Sequence, residues 1–306
     1  MVLIILLYSL FGTSFVLGKY LLQYSTPLFI TGIRFTVGGL ILIAYQYWNR
    51  QKISFSKSSL FWYAQMIALG IFVTYSLRLW ALTDMPAAKT NFLYNLSPFM
   101  ASLFSYFIFN ERMSAKKWTG LVIGCIGLLP ILLSSTPLER SAGGISFLSW
   151  PEIAVLISVA THTYSWIIMR KLIKDEGHTP IMINSISMTF GGLLALLVSA
   201  LTEGCTAVTP ANIPDFIINL TAIILISNII CYNLYGHLLK TYTATFVSFA
   251  GFMGPLFTAL YGWLLLGETV TWHFYVSSVI VLAGLYLFYQ EELQDRTKAV
   301  DLDLEV

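Results

Sequence analysis

Four basic residues, Lys19, Arg34, Arg78 and Lys89, fall inside long apolar stretches of this 306-residue chain. A fixed charge is costly there, and its usual reward is the capture of an anionic group. Arg34 stands in PLFITGIRFTVGGL, seven residues after Pro27, which at helical rise is about 10 Å from the segment's start. A cation at the centre of a spanning helix costs on the order of 2.5–3.5 kcal/mol, so it should face protein or water. Two uses stay open: a planar fork gripping a carboxylate or phosphate, or a structural tie to helix-end carbonyls. Lys19, Arg78 and Lys89 lie near segment ends, where long side chains can snorkel to the interface. Taken with Arg34 they also describe a cationic vestibule that would attract anions. Asp84 is placed to neutralise one of them.

Other polar groups share helical faces. Asn91, Asn95 and Pro98 are spaced i, i+4, i+7, and Ser248, Phe252 and Pro255 repeat that spacing with Gly251 and Gly254 alongside. These faces read as cavity walls around two helix-interrupting prolines, or as polar bridges between helices. Tyr75 and Arg78 form one face; Asn228, Tyr232 and Tyr235 form another. Tyrosine suits a zwitterion or a ring, and is equally common at membrane interfaces. His162 has Ser158 and Trp166 at i−4 and i+4. It can bind substrate, carry a proton or sit neutral between helices.

The inventory excludes much. No GxxxxGK[ST] loop, nucleophile–base pair or metal-ligand cluster is present, and the three cysteines are scattered. The expectation is therefore a non-enzyme with no catalytic residue, metal or cofactor. No Asp or Glu stands mid-segment, since Glu152 and Asp215 are at segment starts, so carboxylate-driven proton antiport of cations is disfavoured. The basic residues form no nucleic-acid stripe. The expected partners are a small-molecule substrate and the lipid bilayer, with no nucleic acid, and a monomer suffices.

The elements that must position these groups are membrane helices. Charged residues are 10% of the chain and hydrophobic ones 57%, with a mean hydropathy of +0.75; a soluble surface needs about a quarter charged residues. Ten apolar segments are expected, at 2–22, 27–48, 59–81, 86–108, 117–133, 150–170, 179–201, 214–239, 243–266 and 271–290. The first has no basic residues before its apolar run and reads as a retained helix. With the N-terminus inside, twelve Lys and Arg fall in cytoplasmic segments and only Arg140 outside. Both termini are thus expected in the cytoplasm. Residues 291–306 are too short for a domain and read as a cytoplasmic tail.

The chain also repeats itself. Pro27, Ile33, Thr36, Gly38, Gly39 and Leu40 recur 153 residues later in PIMINSISMTFGGL, with Ser187 in place of Arg34. Further on the offset is 157: Tyr75, Pro98, Glu111 and Gly127 match Tyr232, Pro255, Glu268 and Gly284. Arg78 and Lys89 have uncharged counterparts, Tyr235 and Phe246. Five helices per half put the second copy upside down, the arrangement of carriers that work by alternating access. The halves are expected at 1–137 and 138–290.

NERMSAKKWTGLVIGCIGLL and GETVTWHFYVSSVIVLAGLYL, each closing a five-helix unit with Pro in its fourth helix, resemble EamA domains of the drug/metabolite transporter superfamily. That resemblance covers roughly residues 2–290. It implies an all-α integral membrane protein of ten transmembrane helices in two inverted five-helix repeats around a central substrate cavity. It also implies transport of amino acids or related metabolites, with a bacterial inner membrane as the setting. An amino acid or amino-acid-derived carboxylate, held by Arg34 or Lys89, leads. An exchanger of phosphorylated or nucleotide-like compounds is the alternative within transport, and a non-transporting receptor or assembly factor the alternative outside it.

Overall fold

Thr-Pro pairs open two of the longest helices, because proline's fixed φ suits the first helical turn and its missing N–H is not needed there. The computed structural model describes residues 2–50, 57–109, 114–134, 136–204, 212–240 and 250–284, together with 242, 247, 286 and 287. Helix α1 spans Val2–Leu21 and α2 spans Pro27–Trp48. A third span joins α3 (Lys57–Gln65), a π-helical stretch at Met66–Val73 and α4 (Thr74–Asp84). Helix α9 covers Trp150–Lys174 and α10 covers Pro180–Thr202. The next span joins α11 (Ile213–Ile223), a second π-helical stretch at Ile224–Cys231 and α12 (Tyr232–Leu238).

Among the described residues six helices are long and apolar enough to cross a membrane, the two composite spans included. Helix α7 (Ala115–Leu133), α13 (Met253–Leu266) and α14 (Trp272–Gly284) supply shorter apolar stretches. Trp48, Leu201 and Val279 are exposed around the outside, as lipid-facing residues must be.

Two segments hold more structure than expected. The segment 86–108 is a broken helix: α5 (Ala87–Leu93), a 3-10 turn at Tyr94–Leu96, then α6 (Ser97–Phe109). Pro98 therefore stands in the first turn of α6 and Pro255 in that of α13. Pro98 has no N–H to offer the Tyr94 carbonyl, which accepts from the Ser97 N–H instead, so the interruption expected at Pro98 takes the form of this 3-10 turn. The connection 134–149 contains structure of its own. Helix α8 (Pro137–Ser141) precedes strands β1 (Gly144–Ile145) and β2 (Leu148–Ser149), paired antiparallel with Gly144 opposite Ser149. A two-stranded hairpin thus interrupts the expected all-α fold. Glu111, Phe246, Ser248 and the tail 291–306 lie outside the described residues.

The repeated glycines are the helix contacts. A methyl group added at Gly39 would overlap Thr189, and one added at Gly192 would overlap Thr36. These pairs exchange places under the 153-residue offset. Gly127 meets Val281 and Gly284 meets Gly124, which exchange under 157. Small residues let membrane helices approach to backbone contact, where packing replaces the hydrophobic drive.

One end of the bundle is stitched by carboxylates. Glu203 accepts from Thr26 Oγ1 at 2.6 Å and from the Leu28 and Phe29 N–H groups, capping α2. Glu268 pairs with Lys19 at 2.8 Å and accepts the Ala87 N–H. Lys89 pairs with Glu139 at 2.9 Å and Glu152 at 2.6 Å. Each of those glutamates is the third residue of a capping box, begun by Thr136 and Ser149 respectively. Burial pushes the Glu139 carboxyl above the usual carboxylate range, against the pull of Lys89.

Candidate functional site: a central aromatic cavity

Tyr8, Phe11 and Phe15 lie on one face of α1 and line a central cavity. Tyr75 and Arg78 enter it from α4, and Asn91, Tyr94 and Ser97 from the broken fourth segment. His162 and Trp166 come from α9, Tyr235 from α12, and Gly251 and Gly254 from the start of α13. Tyr94 opens the 3-10 turn that joins α5 to α6, and Ser97 follows it. Tyr94 and Gly251, and Ser97 and Gly254, are pairs related by 157 residues, so corresponding parts of the two halves face one another. Both π-helical stretches run directly into the cavity helices, ending just before Tyr75 and Tyr232; such irregularities are frequent at functional sites.

Aromatic rings form the wall on the α9–α12 side. Trp166 and Tyr235 stack with centroids 3.8 Å apart and planes 24° apart. Tyr232 packs 5.5 Å from Trp166 and 5.9 Å from Tyr75. Trp166 Nε1 donates to His162 Nε2 at 3.1 Å. An indole can only donate, so His162 Nε2 is unprotonated and the ring proton sits on Nδ1. That Nδ1 has no partner among the described residues. On the other side Ser158 Oγ donates to the Thr74 carbonyl, which leaves it to accept from Tyr94 Oη at 2.7 Å. Asn91 Nδ2 donates to Thr258 Oγ1 at 2.6 Å, and Thr258 donates on to the Gly12 carbonyl.

The buried cations are used differently. The Arg78 guanidinium carbon lies 4.4 Å from the Tyr75 ring centre and 4.7 Å from that of Phe15. Its Nε and Nη2 are buried without a hydrogen-bond partner among the described residues. Arg34, 0% exposed, sits behind the wall. Its Nε donates to Asn228 Oδ1 and its Nη2 to Ser227 Oγ, each at 3.0 Å, while Asn228 Nδ2 returns a bond to the Arg34 carbonyl. Arg34 thus ties α2 to the second π-helical stretch, through side chains and not the helix-end carbonyls expected.

Lys89 is placed away from the central cavity, and its charge is already met by two carboxylates. The vestibule reading is corrected with it. A second cavity is lined by Lys19 and Lys89, but Glu268, Glu139 and Glu152 neutralise them, in place of Asp84.

Of the candidates named from sequence, Arg78, Tyr75, Asn91, His162, Trp166, Tyr235, Gly251 and Gly254 converge on the cavity. Arg34, Asn95, Asn228 and Tyr232 are buried just outside its lining, and Ser248 lies outside the described residues. Sequence reasoning missed Tyr8, Phe11, Phe15, Tyr94 and Ser97. The first three stand at i, i+3, i+7, a helical stripe visible in the sequence but indistinguishable there from lipid-facing aromatics.

A cavity of spare donors and ring faces, set among helices that cross a membrane, matches what comparison with known proteins finds. Residues 1–133 and 149–290 match the EamA-like transporter family. The chain belongs to that family. It is a membrane transporter and not an enzyme. A Chlamydia muridarum protein named S-adenosylmethionine/S-adenosylhomocysteine transporter is 31% identical over 286 residues, covering 93% of this chain and 90% of that protein. Its counterpart in Chlamydia trachomatis serovar D is 30% identical, covering 93% and 87%. A probable amino-acid metabolite efflux pump of Salmonella typhimurium is 25% identical, covering 92% of each chain. A solved crystal structure superposes with a TM-score of 0.63 at 16% identity, covering 93% of both chains, and shows the fold alone.

Proposed function

We propose that this transporter carries an amino-acid-derived, carboxylate-bearing metabolite through the central cavity by alternating access, and that the metabolite is an adenosyl amino acid. The observation that carries this reading is the cavity itself, which combines a guanidinium whose Nε and Nη2 have no partner among the described residues with a stacked Trp166–Tyr235 wall. A carboxylate suits the first and a purine ring the second. Aromatic faces also accept a sulfonium, as they accept other diffuse cations. The names of the Chlamydia relatives support the same class of compound.

The transport cycle uses two five-helix halves, 1–137 and 138–290, inserted in opposite senses, ten helices in all. The reciprocal contacts Gly39–Thr189 and Gly192–Thr36 support this reading. A pseudo-two-fold axis between α2 and α10 lets each half adopt the other's conformation. The carboxylate-stitched end is then the closed outer side, both termini are cytoplasmic, and the membrane is the bacterial inner membrane. One chain forms a complete path.

The test is uptake of radiolabelled S-adenosylmethionine into proteoliposomes containing the purified protein. Uptake should saturate and be competed by S-adenosylhomocysteine. It should rise when unlabelled S-adenosylhomocysteine is loaded inside if the carrier exchanges. Vesicles that bind the label without accumulating it would refute transport of this class.

A further inference from the structure

We propose that Arg78 receives the substrate's carboxylate, and that the substrate lies with this end against the first half of the chain and its planar end on the Trp166–Tyr235 wall. This rests on reading the central cavity as the transport site.

Four cations stand within the apolar segments of the first half. Lys19 is paired with Glu268, and Lys89 with Glu139 and Glu152. Arg34 spends Nε and Nη2 on Asn228 and Ser227, and although its Nη1 has no partner among the described residues, Arg34 does not line the cavity. Arg78 alone of these reaches the cavity with two N–H-bearing atoms unspent, at 3% exposure. The faces of Phe15 and Tyr75 steady its charge but use none of its donors. Among the described residues no Asp or Glu lines the cavity. A buried guanidinium with free donors and no counter-charge is incomplete until an anion arrives.

The repeat gives the orientation. The counterpart of Arg78 at an offset of 157 is Tyr235, stacked on Trp166. Equivalent positions in the two halves thus offer a forked cation on one side and a flat ring on the other. A symmetric scaffold with unlike ends binds an unsymmetric ligand one way round. His162 stands beside Tyr75, with ring centres 6.2 Å apart, and its spare Nδ1–H is a second donor for the polar end.

The experiment measures binding to the purified full-length protein by competition, comparing S-adenosylhomocysteine with its carboxyl methyl ester. Wild type should prefer the free acid at least about tenfold, the loss expected when a charge-assisted bond goes unmade. Arg78→Gln should bring the two compounds within about twofold, while Arg34→Gln should keep the preference. Arg78→Lys, which keeps a charge but loses the fork, should retain part of it. The proposal is overturned if wild type binds ester and acid alike, or if the preference survives in Arg78→Gln. Should Arg78→Gln fail to fold, the wild-type and Arg78→Lys ratios decide. If no adenosyl compound binds, that substrate reading fails by itself, and free amino acids against their methyl esters give the same ratio. An absence of acid preference there too overturns the role of Arg78.

Discussion

Replacing Lys89 with methionine leaves the carboxylates of Glu139 and Glu152 facing each other without their cation. The three side chains are 6%, 0% and 0% exposed. At an effective dielectric of about 20, charges 2.9 and 2.6 Å apart attract by about 6 kcal/mol each. Most of that is offset in the wild type by desolvation and by repulsion between the glutamates. Removing one partner of a buried pair costs about 3–5 kcal/mol, because the remaining charge is stranded. At about 2 °C per kcal/mol for a long chain, the melting temperature in detergent should fall by about 6–10 °C at pH 7.5. The loss should shrink as pH drops toward 5. In the variant the Glu139 carboxyl, already raised by burial, also loses the pull of Lys89, so the folded state takes up a proton first and regains stability on acidification. Adding Glu139→Gln and Glu152→Gln should restore most of the stability at neutral pH, since each amide oxygen can still cap its helix. A melting temperature within about 1 °C of wild type, with no pH dependence of the difference, would refute the buried triad.

Three further outcomes follow from particular contacts. Glu139→Gln should compare best with wild type near neutrality and progressively worse as pH falls toward the ordinary glutamate range, measured as a difference in melting temperature. The raised Glu139 carboxyl makes the folded wild type gain stability on protonation, an increment the amide lacks. Arg34→Leu should cost about 1.5–3 kcal/mol of stability, measured by thermal denaturation, by stranding Asn228 and Ser227. Gly39→Val and Gly192→Val should damage folding to similar degrees, measured as yield of monodisperse protein, because they push against Thr189 and Thr36 in mirrored contacts. A large difference between those two variants would argue against the pseudo-symmetry.

Much of the layout was legible because it is written in local chemistry. The segment expected at 27–48 is the helix Pro27–Trp48, begun where Thr-Pro demands a first turn. The segment 59–81 runs on to Asp84, stopping just before Met85–Pro86. The interruption in 86–108 was legible from Pro98, whose missing N–H leaves the Tyr94 carbonyl to a 3-10 bond from Ser97. The hairpin in 134–149 escaped detection because two-residue strands leave no periodicity to read.

The sequence alone determined that the chain is apolar enough for a membrane, that it contains a repeated pattern, and that four cations stand where charge is costly. Composition and spacing carry those facts without reference to neighbours. Which cation brings free donors to the cavity was decided by tertiary structure. Lys89 meets its carboxylates 50 and 63 residues away, and Arg34 meets Asn228 at a separation of 194. A charge is satisfied by whatever lies within about 4 Å of it, and chain distance says nothing about that. The helix packing therefore moved attention from Arg34, conspicuous in its segment, to Arg78, which alone of the four brings unspent donors into the aromatic cavity.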